Sequence, residues 1–164
     1  MKKHLIKSLH GFPSLVIGFD GDKIEKIEFL KGGKSPKFSF KLTEKERKLV
    51  NNLKKDFYKY FSCKKVEFKS YLISNNGGTA FQKQVWNALK SIPYGTICSY
   101  KSVAQRIGKP KAARAVGGAC RSNPVPILVP CHRVISKNGR IGGFSARIAI
   151  KKRLLRFEGV KFQD

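Results

Sequence analysis

Carboxylates are what this 164-residue chain most conspicuously lacks: 10 Asp and Glu stand against 35 Lys and Arg, a formal net charge of +25. Between Glu67 and Glu158 there is no acidic residue at all. A solvated face normally mixes signs, so this gap argues for a polyanionic partner, with nucleic acid ahead of anionic membrane or acidic protein. A lysine-rich surface that serves solubility alone is the alternative. The imbalance deepens along the chain. Residues 1–78 carry 18 basic and 8 acidic side chains, a balance of +10; residues 79–164 carry 17 and 2, a balance of +15.

Cysteine is sparse too. Cys63, Cys98, Cys120 and Cys131 stand far apart with no C-x-x-C pair, and the three histidines complete no zinc-finger spacing. That pattern argues against a disulfide framework and supports neither a metal nor a cofactor. No apolar run reaches the roughly 18 residues that a membrane helix needs. The first residues are basic but lack the apolar core of a secretion signal. A soluble, cytoplasmic protein is expected, with no membrane partner.

The length suits one domain or two small ones. Residues 5–40 have strand composition: Leu15-Val16-Ile17-Gly18-Phe19, a turn at Asp20-Gly21-Asp22, then strand character over 24–30. A loop follows over 31–36, after which Phe38 and Phe40 alternate with polar neighbours. Thr43 with Glu46 three residues on is a capping-box pattern. Leu49, Leu53, Phe57 and Phe61 then form the stripe of an amphipathic helix. Tyr58, Tyr60 and Phe61 are core or a stacking cluster, with core preferred. Residues 66–73 return to strand composition, and 74–78 read as a linker. The expected fold class is α+β. A small α/β N-terminal domain spans 1–75, and a mostly helical C-terminal domain spans 76–164.

The second half is built of short helices. Thr79 and Gln82 repeat the capping box, and Phe81, Val85 and Leu89 make a stripe with Trp86 beside it. Pro93-Tyr94-Gly95 is a turn. Ser99 caps a helix to Ile107, Gly108-Lys109-Pro110 breaks it, and a helix over 111–121 follows with Pro110 at its first position. Two short helices around a glycine turn are the pattern of a helix-turn-helix of winged-helix type. The second of them is nearly all Ala and Gly, with Arg114 its one large residue before Arg121. Its Gly117-Gly118 pair costs about 1 kcal/mol per residue relative to Ala. Either close helix packing or close approach of a ligand explains it.

Three prolines, Pro124, Pro126 and Pro130, then forbid helix and predict a stiff, extended lead-in to Pro130-Cys131-His132-Arg133-Val134. Asn123 is expected to bond local backbone. A cysteine beside His and Arg has the cationic neighbours that lower a thiol pKa; a buried, inert thiol is the alternative. A turn at Lys137-Asn138-Gly139 follows. Ser145 is the expected N-cap of a last helix with Ile150, Leu154 and Phe157 on one face and Gly159 as its stop. Glu158 is a candidate to orient His132, or else a surface ion pair with Arg156 or a lysine. Cys, His and a carboxylate are the components of an activated thiolate.

Ser99-Tyr100, Arg114-Ala115-Val116-Gly117-Gly118, Asn123-Pro124 and Pro130-Cys131-His132-Arg133-Val134 occur together in this order, with Ser145 and Glu158-Gly159 following. Over residues 79–160 the chain resembles the O6-alkylguanine-DNA alkyltransferases, the methylated-DNA–protein-cysteine methyltransferases. The resemblance implies direct, single-turnover repair of O6-alkylguanine in duplex DNA, with O4-alkylthymine left open. Cys131 would take the alkyl group, His132 would remove the thiol proton through a water, and Glu158 would support the imidazolium. Asn123 would hold the turn, Tyr100 would donate to the base, and Ser145 would help hold O6, with Phe144, Val134 and Cys120 around the base. Arg114 would fill the gap left by the flipped nucleotide. The second helix, through Ala115, Gly117 and Gly118, would lie in the minor groove, with Tyr100, Lys101, Lys111 and Arg121 also on DNA. A monomer without metal or cofactor is implied. Phe144 stands where many members carry tyrosine. A non-catalytic binder of alkylated DNA, a basic helix-turn-helix regulator and a cysteine hydrolase are weaker alternatives; none explains Pro130 to Val134, Glu158 and the charge together.

Overall fold

Strand β1 (Lys2–Ile6) starts a four-stranded sheet in the order β1-β2-β3-β4, with β2 (Leu15–Asp20) and β3 (Lys23–Phe29) antiparallel and β4 (Leu72–Ile73) added in parallel to β3. The computed structural model describes residues 1–7, 11–30, 36–74, 77–136 and 138–163. It divides into two units, Met1–Asn76 and Gly77–Asp164. Residues 31–35 of the expected loop, 75 and 76 of the expected linker, and Lys137 lie outside the described residues.

In the first unit the turn at Gly21 (φ 55°) joins β2 to β3, and the inward residues Leu15, Ile17, Phe19, Ile24 and Ile27 are buried. Helix α1 (Glu44–Phe61) opens on the full capping box: Glu46 N–H donates to the Thr43 hydroxyl, and Thr43 N–H to the Glu46 carboxylate. Its buried stripe is Val50, Leu53, Phe57, Tyr60 and Phe61. Leu49 is only half-buried, because the helix turns Val50 inward in its place. Tyr60 and Phe61 belong to an aromatic core in which Phe12 stacks on Phe61 at 4.4 Å and Phe57 meets Phe68 at 5.1 Å. Tyr58 is exposed.

Three expectations change here. β1 begins at Lys2, earlier than the apolar pattern suggested, and the Lys2 ammonium pairs with the buried Glu46 carboxylate at 2.7 Å. Phe38 and Phe40 lie in no strand; their rings stack on each other at 6.4 Å. Residues 66–73 hold a 3₁₀ turn, Phe68–Ser70, with only Leu72–Ile73 as strand. Side chains at i and i+3 eclipse in a 3₁₀ turn, so Phe68 and Tyr71 come together, 6.1 Å between rings.

The second unit contains α2 (Ala80–Lys90), β5 (Cys98–Ser99), α3 (Tyr100–Arg106), α4 (Ala113–Arg121), β6 (Val134–Ile135) and α5 (Ile148–Phe157). Thr79 and Gln82 complete the second capping box. Val85 and Leu89 are buried while Phe81 is half-buried. The Trp86 indole N–H donates to the Ala119 carbonyl at 2.8 Å and ties α2 to α4. Ser99 caps α3 by accepting from Ser102 N–H. Gly159 (φ 71°) ends α5, whose buried residues are Ile150, Lys151, Leu154 and Leu155, with Phe157 half-buried.

Three further expectations are corrected. Pro110 is not the first residue of α4; bonds from Lys109 N–H to Ala104 O and from Ala112 N–H to Lys109 O close a turn around it, and the helix begins at Ala113. Residues 123–130 are not extended. They reverse in a buried turn, with Val129 N–H bonded to Val125 O at 3.0 Å and Ile127 at φ 77°. Ser145 does not cap α5, whose N-cap is Arg147 at φ 109°.

Candidate active site

Cys131 sits at the floor of a cavity of ≈ 270 Å³, with Tyr100, Arg114, Gly118, Phe144 and Ser145 among its walls. Cys131 is 3% exposed. Local structure explains its placement. Cys131–Arg133 form one 3₁₀ turn, which sends neighbouring side chains in different directions. Val134 and Ile135 then pair in parallel with Cys98 and Ser99. That short ladder fixes the thiol relative to Tyr100, the first residue of α3.

Behind the thiol, Asn123 is buried and its amide is fully used. Its Nδ2 donates to Val129 O at 2.8 Å and to Cys131 Sγ at 3.1 Å, while its Oδ1 accepts from Val125 N–H at 3.0 Å. The asparagine therefore holds the turn and the sulfur together. Burial pushes the Cys131 thiol up; the Asn123 bond and the Lys151 charge pull the other way without prevailing. The sequence expectation that His132 and Arg133 would lower it is corrected. Both side chains point to a different partner, and the resting sulfur is a thiol.

That partner is Glu158. His132 Nε2 lies 2.7 Å from Glu158 Oε1. Arg133 grips the same carboxylate through Nε to Oε2 at 2.8 Å and Nη2 to Oε1 at 3.0 Å, and its Nη1 reaches Ile92 O at 2.7 Å. Gly95 N–H adds a bond to Oε2 at 3.2 Å. Burial pushes the Glu158 carboxyl up, but the hydrogen bonds from His132 and Arg133 and the guanidinium charge outweigh it and bring it down to about 2. Burial pushes His132 down, so the imidazole is neutral. An ionised carboxylate only accepts hydrogen bonds, so Nε2 carries the proton and Nδ1 carries the basic lone pair. Glu158 is thus no surface ion pair with Arg156.

Lys151 was missed by sequence reasoning. It is 1% exposed, donates to Val134 O at 2.6 Å and stands 5.9 Å over the Tyr100 ring. Burial lowers its pKa to about 8, and its charge acts on Cys131 and Cys120. Its spacing was a signal: Lys151, Leu154, Leu155 and Glu158 lie at i, i+3, i+4 and i+7, one face of α5. In the sequence Arg133 is only a neighbour of the thiol; nothing in its spacing points to Glu158. Burial, with the nearby Cys120 and Cys131, raises the Tyr100 hydroxyl to about 12, so it stays a donor. Burial likewise raises Cys120 to about 12.

Arg114 lies in the first turn of α4 and Arg121 in its last; both are exposed and both line the cavity. Ala115 and Gly118 are exposed and Gly117 half-buried. A Cβ on Gly118 would meet nothing within 4 Å, and one on Gly117 would make ordinary 3.8 Å contact with Tyr100. Helix packing therefore does not require either glycine. Gly142 is different: at φ 63° its Cβ would stand 3.0 Å from the Tyr100 hydroxyl. Lys101 and Lys111 are exposed and off the cavity, and Val134 is buried in β6 behind it. Cys120 lines the cavity.

Residues 80–160 match the family model described as the 6-O-methylguanine DNA methyltransferase, DNA binding domain. A methylated-DNA–protein-cysteine methyltransferase of Methanosarcina acetivorans is 41% identical over 90% of this chain and 92% of its own. That of Methanosarcina mazei is 40% identical over 96% and 97%. The chain belongs to the methylated-DNA–protein-cysteine methyltransferase family. Its relatives extend to structure: Mycobacterium tuberculosis OGT in complex with DNA has a TM-score of 0.80 at 32% identity, covering 96% of this chain and 92% of that one. The methyltransferase likeness thus runs through both units, although the sequence motifs lay only in the second.

Proposed function

We propose that this methyltransferase repairs alkylated DNA by moving the alkyl group from O6 of guanine onto Cys131, which is consumed. The observation that carries this reading is the buried Cys131 thiol at the floor of the cavity, held by an Asn123 bond, with a neutral His132 next to it in the chain supported by an ionised Glu158. The thiol proton leaves through a water to His132 Nδ1. The sulfur forms its bond to the alkyl carbon as the carbon–O6 bond breaks, and the electron pair goes to O6. Guanine regains its ring proton from solvent while the imidazolium releases the thiol's proton to solvent, and Tyr100, kept protonated, donates a hydrogen bond to the base as charge builds. Glu158 stabilises the imidazolium, and Arg133 keeps Glu158 ionised throughout. Lys151 favours the thiolate at the moment it forms.

An alkylated base inside a duplex is out of reach, so it must be flipped out at a cost of a few kcal/mol. We read α3 and α4 as a helix-turn-helix whose α4 enters the minor groove. The open space over Gly118 leaves room for sugar and phosphate, and Arg114 at the cavity rim is placed to fill the vacated stack. Lys101, Lys111 and Arg121 contribute phosphate contacts, and Phe144, Ser145 and Cys120 surround the base. One chain carries the whole site, so the protein works as a monomer, in the cytoplasm or wherever the cell keeps its DNA.

The decisive experiment incubates the protein with duplex DNA carrying O6-methylguanine, then measures protein mass and maps the peptide. One methyl per chain on Cys131, absent in Cys131→Ser, is expected. Multiple turnover, or no label, would reject the reading.

A further inference from the structure

A groove of ≈ 480 Å³ on the first unit lies outside everything assigned so far. Helix α1 lines it with Lys45, Lys48, Lys55 and Lys59. Their spacing of i, i+3, i+10 and i+14, with Asn52 at i+7 between them, puts all four on one face. At ~1.5 Å per residue the row is about 21 Å long.

These lysines differ from others of the same unit. Lys2, Lys26 and Lys69 have carboxylate partners at 2.7, 2.8 and 2.7 Å. Among the described residues, none of the four groove lysines does. Two acids also line the groove, Asp22 and Asp56. Asp56 already accepts the Tyr71 hydroxyl at 2.6 Å. Cations of like sign along concave walls focus a positive field, and solubility alone does not call for them to converge. A row of ammonium groups along one helix face suits a ligand with repeated anions. A nucleic-acid strand presents one phosphate per ~3.4 Å of axis, so about six pass along the row.

We propose that this groove is a second, lesion-independent contact for the DNA phosphate backbone, carried by the first unit. It rests on DNA as the partner but not on Cys131 as the acceptor, so its test uses lesion-free duplex and a binding readout.

Measure the affinity of the full chain for unmodified duplex from 50 to 200 mM salt. In a variant with all four lysines changed to Gln, the slope of log affinity against log salt should flatten by about 3.6, since each phosphate contact contributes about 0.9. Affinity at 50 mM should fall at least ten-fold, and the fourfold Lys→Arg variant should retain it. The four single Lys→Gln variants, each expected to flatten the slope by roughly 0.9, keep the test independent of how the fourfold variant folds. An unchanged slope across them overturns the proposal. So does an acidic polypeptide that binds the parent, but not the single variants, while their DNA binding is intact. Methyl transfer to Cys131 is not read here, so failure of this proposal leaves the acceptor assignment standing, and the reverse also holds.

Discussion

Glu158→Gln is the perturbation whose size the structure fixes best. Gln keeps the shape of Glu158 but leaves Arg133 buried with no counter-ion. Bringing a carboxyl from its ordinary 4.5 down to about 2 corresponds to about 3 kcal/mol of folding free energy at pH 7. Removing one partner of a buried ion pair costs about 3–5 kcal/mol, which agrees. The folded value lies below the unfolded one. The stabilisation is therefore complete above the ordinary carboxylate range and is lost as pH falls toward 2; by pH 3 roughly 2 kcal/mol of it is gone. Urea unfolding of parent and variant at pH 7 and pH 3 reads this directly. At pH 7 the midpoints should differ by about 1.5 M, taking a denaturant slope near 2 kcal/mol per M. At pH 3 the gap should shrink to less than half. A gap that stays constant between the two pH values would refute an ionised, Arg133-held Glu158. Alkyl transfer from a free O6-alkylated base should fall about 10²-fold as well, since the imidazolium loses its support.

Gly118→Ala should stabilise the fold by about 1 kcal/mol, because the new Cβ meets nothing and helix propensity improves. Thermal unfolding checks that. The same variant should slow transfer from duplex DNA while leaving transfer from the free base intact; an unaltered duplex rate argues against α4 in the minor groove. Lys151→Met removes the cation beside the thiol. Transfer from the free base should slow about ten-fold at pH 7, about 1.4 kcal/mol of barrier. That deficit should close above pH 8, where Lys151 of the parent loses its proton; a deficit that persists at high pH excludes an electrostatic role.

Much of this protein was legible from residues alone, and for local reasons. Capping boxes at Thr43 and Thr79, the stop at Gly159 and the turn at Gly21 each depend on a few neighbours in sequence, and the structure contains them all. The motif order identified the family. Local rules failed where a distant group competed. Residues 123–130 carry three prolines and look extended, yet the Asn123 side chain closes them into a buried turn. Ser145 has the chemistry of a cap, but it stands at the cavity and α5 starts three residues later.

Sequence by itself determined the charge bias, the helices of both halves and the singular setting of Cys131. Only tertiary structure decided the electrostatics of that site. Arg133 follows the thiol by two residues, but its guanidinium serves Glu158, twenty-five residues on. Lys151, far along the chain, is the cation that acts on the sulfur. Proximity in sequence says which charges exist; burial decides how strongly they act, and the fold decides on which atoms.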